Sequence, residues 1–185
     1  MNKRYLGAGE LLADSFRLAA RIFDSGFRPD LLVGVWRGGA PDGIAVQEYF
    51  ARRGVRCAHL PVKTASYAGP DRRQPAVVIT GIETVLRNLR RGSIILIVDD
   101  VFDTGLSLKE LLRQLREASP DPELEIRLAC PWYKPRRNLS GLVPDYYLHE
   151  TDDWLVFPHE LMGLDADEIR RKPDLGKVAD EIGWD

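Results

Sequence analysis

The sequence predicts an α/β fold, a mostly parallel twisted sheet flanked by helices. Three observations predict it. Short apolar, strand-like runs alternate with segments of helical period along the chain. One apolar run, Ile94 to Val98, passes directly into acids, a small-residue loop and an amphipathic helix, a strand-loop-helix unit. The 185 residues, 44% hydrophobic and 29% charged, are enough for one domain with a substantial core.

The elements follow in order. Leu11, Leu12, Phe16, Ala19, Ala20 and Phe23 recur at helical spacing, and Gly26 stops that helix. Leu31 to Val35 is a short strand, followed by the loop Trp36-Arg37-Gly38-Gly39. Ile44 to Phe50 is a helix that ends near Gly54, and Val55 to Val62 is a second strand. From Lys63 to Pro75 the chain is polar and rich in small residues, which predicts a mobile loop. Ala76 to Thr80 is a β-branched strand, and Glu83 to Leu89 a short helix. Ser93 to Val98 is the central strand, with a helix from Ser107 to Leu115 after it. Leu124 to Cys130 is a further strand, and Tyr146–Leu148 and Trp154–Phe157 are short extended pieces. Asp165 to Arg171 and Leu175 to Ile182 are expected as short terminal helices. In sheets of this type ligands sit beyond the carboxyl ends of the strands. Both Trp36–Gly39 and the Asp99–Ser107 loop fall there.

Composition narrows the function classes. The net charge of −2 argues against non-specific nucleic-acid binding, which needs many cationic contacts. No apolar run approaches membrane-spanning length, and Met1 to Gly9 lacks the apolar core of a signal peptide, so a cytoplasmic protein is expected. Cys57 and Cys130 lie in apolar, strand-like surroundings without metal-ligand spacing, and are expected to be buried thiols.

Asp99-Asp100-Val101-Phe102-Asp103-Thr104-Gly105-Leu106-Ser107 carries the most chemistry. The loop and helix start offer backbone N–H groups to a phosphate, and Gly105 lets the backbone approach closely. Thr104 and Ser107 add hydroxyls, while Asp99 and Asp100 can take sugar hydroxyls or a magnesium ion. Asp103 stands where a base could act, with its side chain turned away from the phosphate. An N-cap uses the same orphan N–H groups, so a helix start and an anion site are compatible here.

This stretch resembles the phosphoribosyl-pyrophosphate signature of the type I phosphoribosyltransferases, with Ser107 where the family has threonine. The resemblance covers roughly residues 31 to 160. It implies a single domain over 1–185, with a core at about 28–135 and a small hood from the N-terminal and C-terminal segments. It implies that Asp99, Asp100, Asp103, Thr104, Gly105, Leu106 and Ser107 bind the phosphoribosyl group, and that Asp100 also stands near magnesium. Trp36-Arg37-Gly38-Gly39 is similar to the family's pyrophosphate loop, where Arg37 can pair bidentately with phosphate. Some relatives have a non-proline cis peptide before that cation, which implies one between Trp36 and Arg37.

Further resemblance points to the purine-salvage branch. Lys134 stands where that branch has a lysine for the purine 6-oxo group. Trp154 stands where an aromatic ring stacks on the base, and Leu155 where backbone atoms meet the purine edge. Glu160 falls where an acid sits near a second magnesium ion. Ser66-Tyr67 resembles a pair in the family's mobile loop, with Arg72 and Arg73 as candidate basic residues near its end. His59, His149 and His159 receive no catalytic role.

The resemblance implies an enzyme that joins a 6-oxopurine (hypoxanthine, guanine or xanthine) to phosphoribosyl pyrophosphate, giving a nucleoside monophosphate and pyrophosphate. It implies Mg2+ as cofactor and a homo-oligomer, dimer or tetramer. Two other readings use the same residues. A ligand-sensing regulator could keep this fold without catalysis, although the chain has no basic stripe for DNA. A phospho-acceptor receiver domain also ends its first strand in paired acids, with Asp145 at a suitable distance, but too few strand-helix units follow residue 100.

Overall fold

Apolar residues on both faces of the central strands demand cover on both faces, and two helical layers provide it. The computed structural model describes residues 3–67, 76–119, 121–176, 178, 179, 181 and 183. In chain order the elements are β1 (Lys3–Tyr5), α1 (Ala8–Asp24), β2 (Leu31–Trp36), α2 (Gly39–Arg52), β3 (Ala58–Tyr67), β4 (Ala76–Thr80), α3 (Ile82–Asn88), β5 (Ile94–Val98), β6 (Val101–Phe102), α4 (Leu106–Ala118), β7 (Glu125–Tyr133), β8 (Tyr146–Glu150), β9 (Trp154–Val156) and α5 (Ala166–Arg170). A 3-10 turn spans Pro135–Arg137. The main sheet runs β4-β3-β2-β5-β7, with β6 and β8 also on β7. All its pairings are parallel except β3 with β4.

Strand alternation divides the core. Val33, Val35, Ile95 and Ile97 face α3 and α4, where Val85, Leu108, Leu111 and Leu115 are buried. Leu32, Leu96 and Val98 point the other way, onto Leu18 and Ile22 of α1 and Val46 and Phe50 of α2. A smaller cluster, Leu6, Leu11, Trp132, Leu155 and Phe157, lies under the two-stranded sheet that β1 makes with β9.

Several boundaries differ from the sequence reading. The strand predicted to stop at Val62 continues to Tyr67, inside the segment expected to be a loop. An antiparallel partner explains this, since Lys63 to Tyr67 pairs with Thr80 to Ala76 and the ladder satisfies the backbone without an apolar run. The remainder of that loop, with Arg72 and Arg73, lies outside the described residues, as do the side chains of Ser66 and Tyr67. Helix α2 starts five residues before Ile44 because Pro41 is tolerated in a first turn, which the apolar period does not mark. The described residues of 175–182 form turns rather than a helix, and Gly176 packs against the carbonyls of Arg170 and Lys172. Cys130 is buried as expected, whereas Cys57 precedes β3 and is only half-buried. No helix among the described residues is long and apolar enough to cross a membrane.

A buried acid makes the fold sensitive to pH. Asp42, in the first turn of α2, is fully buried, and its Oδ1 accepts a 2.6 Å hydrogen bond from Ser15 Oγ. Its Oδ2 is buried without a hydrogen-bond partner among the described residues. Burial pushes the Asp42 carboxyl up to about 8, opposed by the Ser15 bond and reinforced by the charges of Asp100 and Asp14. The unfolded chain releases this proton near pH 4, so the folded state holds a proton that the unfolded state has lost between roughly pH 4 and 8. Stability from this group is therefore full below pH 4 and declines as pH rises towards 8. Asp42→Asn keeps an acceptor for Ser15 and removes the titration. Urea unfolding should show the variant gaining on the wild type between pH 5 and pH 8, by on the order of a few kcal/mol. Parallel pH profiles for the two proteins would refute the assignment.

Candidate active site

The site begins as a break in a strand. β5 and β6 pair with β7 in one continuous register, Ile94 with Glu125 and Val101 with Trp132, and only Asp99 and Asp100 interrupt the run. The Asp99 N–H still reaches Ala129 O at 3.1 Å. The acids then serve their own backbone. Asp99 Oδ1 accepts the Asp100 N–H at 3.0 Å, and Asp100 Oδ1 accepts the Val101 N–H at 2.8 Å.

Beyond β6 the chain enters the loop that starts α4. Gly105 has φ +71°, and a methyl group there would overlap the Phe102 ring and Ser140 Oγ, so only glycine fits. The first-turn N–H groups of α4 have no intrahelical acceptor, as at any helix start. The loop walls a pocket of about 130 Å³, lined by Thr64, Asp99, Asp103, Thr104, Gly105 and Ser107 among others. The Leu106 side chain is exposed. Thr64, within the segment expected to be a loop, lines the pocket because β3 runs on to Tyr67.

The Trp36–Gly39 loop packs on the same two acids. The Trp36–Arg37 peptide bond is cis, as the resemblance implied. A Cβ on Gly38 would overlap the Asp100 carboxylate, and one on Gly39 the backbone of Val98 and Asp99. The glycines thus permit a close approach between the two loops. Trp36 also lines a separate groove of about 200 Å³ with Ile44, His59 and Pro61.

Burial and mutual repulsion dominate the electrostatics here. Burial, then the charge of Asp100, raises the Asp99 carboxyl well above its ordinary range. The Asp100 carboxyl is pushed up to about 6, by burial first, opposed by the Val101 N–H and helped by the charge of Glu160. Glu160 therefore stands within electrostatic reach of Asp100, and its Oε2 accepts the Phe157 N–H at 3.0 Å. Lys172 holds that turn. It is buried, and its Nζ donates to Phe157 O at 2.6 Å and to Glu160 O at 2.7 Å. His159 Nε2 lies 3.9 Å from Asp100 Oδ2, with its ring stacked on Phe157. Burial lowers the His159 pKa, with Glu160 opposing and Lys172 and Arg37 assisting. Neither Lys172 nor His159 stood out in the sequence, because a lone lysine or histidine is common and the contacts are distant in the chain.

Asp103 lines the loop pocket, and two basic side chains reach its carboxylate. Lys134 Nζ donates to its Oδ2 at 3.2 Å, and Arg137 Nε to its Oδ1 at 2.6 Å. Lys134 is 3% exposed, so it is no ordinary solvated surface lysine. Arg137 was not singled out from the sequence; its place three residues after Lys134, in Lys134-Pro135-Arg136-Arg137, is the only signal. Trp154 is 48% exposed on β9, opposite Lys3, while the Leu155 side chain is buried under the small sheet. Among the described residues no hydrogen bond or ring contact joins Trp154 to Lys134 or Asp103. Asp145 accepts the Leu128 N–H at 2.8 Å, a structural bond. His149 pairs with buried Asp14 at 2.8 Å, away from these loops.

Comparison with known proteins agrees with this fold. The family described as "Phosphoribosyl transferase domain" matches residues 2–163, which sets aside the receiver-domain reading. The fold is similar to that of a purine phosphoribosyltransferase from Pyrococcus horikoshii, at 27% identity and TM-score 0.68, covering 89% of this chain and 97% of that one. It is also similar to the xanthine-guanine-hypoxanthine phosphoribosyltransferase of Helicobacter pylori, at 23% identity and TM-score 0.68, covering 84% and 92%. A Neisseria gonorrhoeae protein with bound ppGpp shares the fold at 18% identity and TM-score 0.73, covering 95% and 97%. No curated protein matches the sequence.

Proposed function

The chain belongs to the phosphoribosyltransferase family, and from that premise we propose that it transfers the phosphoribosyl group of phosphoribosyl pyrophosphate to a 6-oxopurine, releasing pyrophosphate. One observation carries this reading. A buried lysine, Lys134, meets Asp103 at the edge of the phosphate loop, so a cation for an exocyclic oxygen and a proton acceptor stand side by side.

Each residue has a task in this reading. The first-turn N–H groups of α4, with Thr104 and Ser107, hold the 5′-phosphate. Asp99 and Asp100 take the ribose hydroxyls. Arg37 and the backbone of Gly38 and Gly39 receive the pyrophosphate, close to Asp100 through the glycine contacts. As the anomeric bond breaks, charge resembling an oxocarbenium ion builds on the sugar, by analogy with glycosyl transfer. Asp103 takes the proton from the purine N7 region. Lys134 donates to the 6-oxo group, and Trp154, exposed on β9, stacks on the base while Leu155 backbone atoms meet its edge.

Asp100 and Glu160 suit magnesium. They offer hard oxygen donors, and their charges act on one another. The described residues contain no group of three metal-ligating side chains, and magnesium commonly binds one or two carboxylates together with substrate phosphates and water. Bound there, the ion supplies charge neutralisation for the departing pyrophosphate.

A pH dependence follows. Asp100 must be ionised to hold a cation, and its carboxyl titrates at about 6. Magnesium affinity in the presence of phosphoribosyl pyrophosphate should therefore be steady above pH 7 and fall by about tenfold per pH unit below 6. Calorimetric titration at pH 5, 6 and 7.5 measures it. A flat profile would exclude Asp100 as the ligand.

Turnover of hypoxanthine, guanine, xanthine and adenine with magnesium and phosphoribosyl pyrophosphate tests the function. Turnover of at least one 6-oxopurine in clear preference to adenine is expected. Tight nucleotide binding without turnover of any base would favour the ligand-sensing reading instead.

A further inference from the structure

We propose that Arg137 is a positioning residue, which holds the Asp103 carboxylate at the angle from which it meets the purine. This rests on the proposed role of Asp103 as proton acceptor. Of the ion pairs that Arg137 and Lys134 make with Asp103, that of Arg137 is the shorter, 2.6 Å against 3.2 Å. Lys134 is also assigned a donor to the purine oxygen, and its rotatable ammonium fixes no angle on the carboxylate. Arg137 can, because a guanidinium keeps its donors in a fixed plane and stays charged.

The backbone of Arg137 is tied to the loop that carries Asp103. Arg137 N–H donates to Lys134 O at 3.1 Å, and Leu139 N–H donates to Thr104 O at 2.9 Å. Lys109 Nζ, from α4, donates to Ser140 O at 2.9 Å. Asn138 closes the segment by donating to Tyr133 Oη at 3.1 Å and Leu142 O at 2.5 Å. Residues 134–142 thus form a strap bonded both to the phosphate loop and to the end of β7. A displacement of the strap carries the arginine with it, and through the arginine the acid.

Arg137→Met keeps length and removes the charge. It should lower kcat by about ten- to a hundredfold, the effect expected from a misaligned reacting group, with KM for phosphoribosyl pyrophosphate changed by less than about twofold. Arg137→Lys should restore most of the loss. In an Asp103→Asn background, Arg137→Met should cost little more, because the arginine acts through the acid. An undiminished further loss in that background, or a raised KM at unchanged kcat, would overturn the proposal and make Arg137 a phosphate ligand or a fold residue. If the wild type turns over no purine, the functional reading fails by itself. The same four variants are then compared by urea unfolding, where additive shifts in midpoint would overturn the Arg137–Asp103 coupling and non-additive shifts would sustain it.

Discussion

Asp103→Asn is expected to lower kcat by about two to four orders of magnitude, the usual worth of a positioned general base. The amide has nearly the shape of the carboxylate and still offers an oxygen to Arg137. It cannot take a proton from the purine. The contacts assigned to the 5′-phosphate come from backbone N–H groups and from Thr104 and Ser107, so affinity for phosphoribosyl pyrophosphate should be retained. Steady-state turnover alongside calorimetric binding separates the two effects. Equal turnover in both proteins would remove the base role from Asp103.

Lys134→Ala should have the second largest effect, and in the opposite place. Lys134 is buried, and its Nζ lies 3.2 Å from Asp103 Oδ2. A hydrogen bond to a charged group is worth about 1.5–3 kcal/mol, so purine binding should weaken by roughly ten- to a hundredfold. The proposed contacts of phosphoribosyl pyrophosphate do not include Lys134, so its affinity should hardly move. The Asp103 carboxylate loses one of its two cations but keeps Arg137, so the fold should survive, which a thermal melt checks. Equal losses for both substrates would contradict the base-pocket assignment.

The sequence carried the fold and the loops unevenly, for physical reasons. Residues 94–107 were legible because a buried strand, paired acids and a glycine with positive φ each leave a local mark. Trp36–Gly39 was legible only by resemblance, and what its glycines do became visible when Asp100 was found against Gly38. The end of β3 was lost because an antiparallel partner supports polar residues that no periodicity test would place in a strand. β1 was lost because three residues, Lys3 to Tyr5, carry no pattern of their own and are strand only through β9. Arg137, His159 and Lys172 were lost for a related reason. Their partners lie 12 to 59 residues away, and only the fold brings them together. Lys134 shows the reverse case. Its type and place were legible, but its burial, which separates it from a surface lysine, was not.

A crystal structure with GMP bound should show the phosphate on the backbone N–H groups of Thr104 to Ser107, the ribose hydroxyls on Asp99 and Asp100, and the guanine 6-oxo group on Lys134 beside Asp103. A nucleotide seated elsewhere, with the Asp99–Ser107 turn empty, would contradict it.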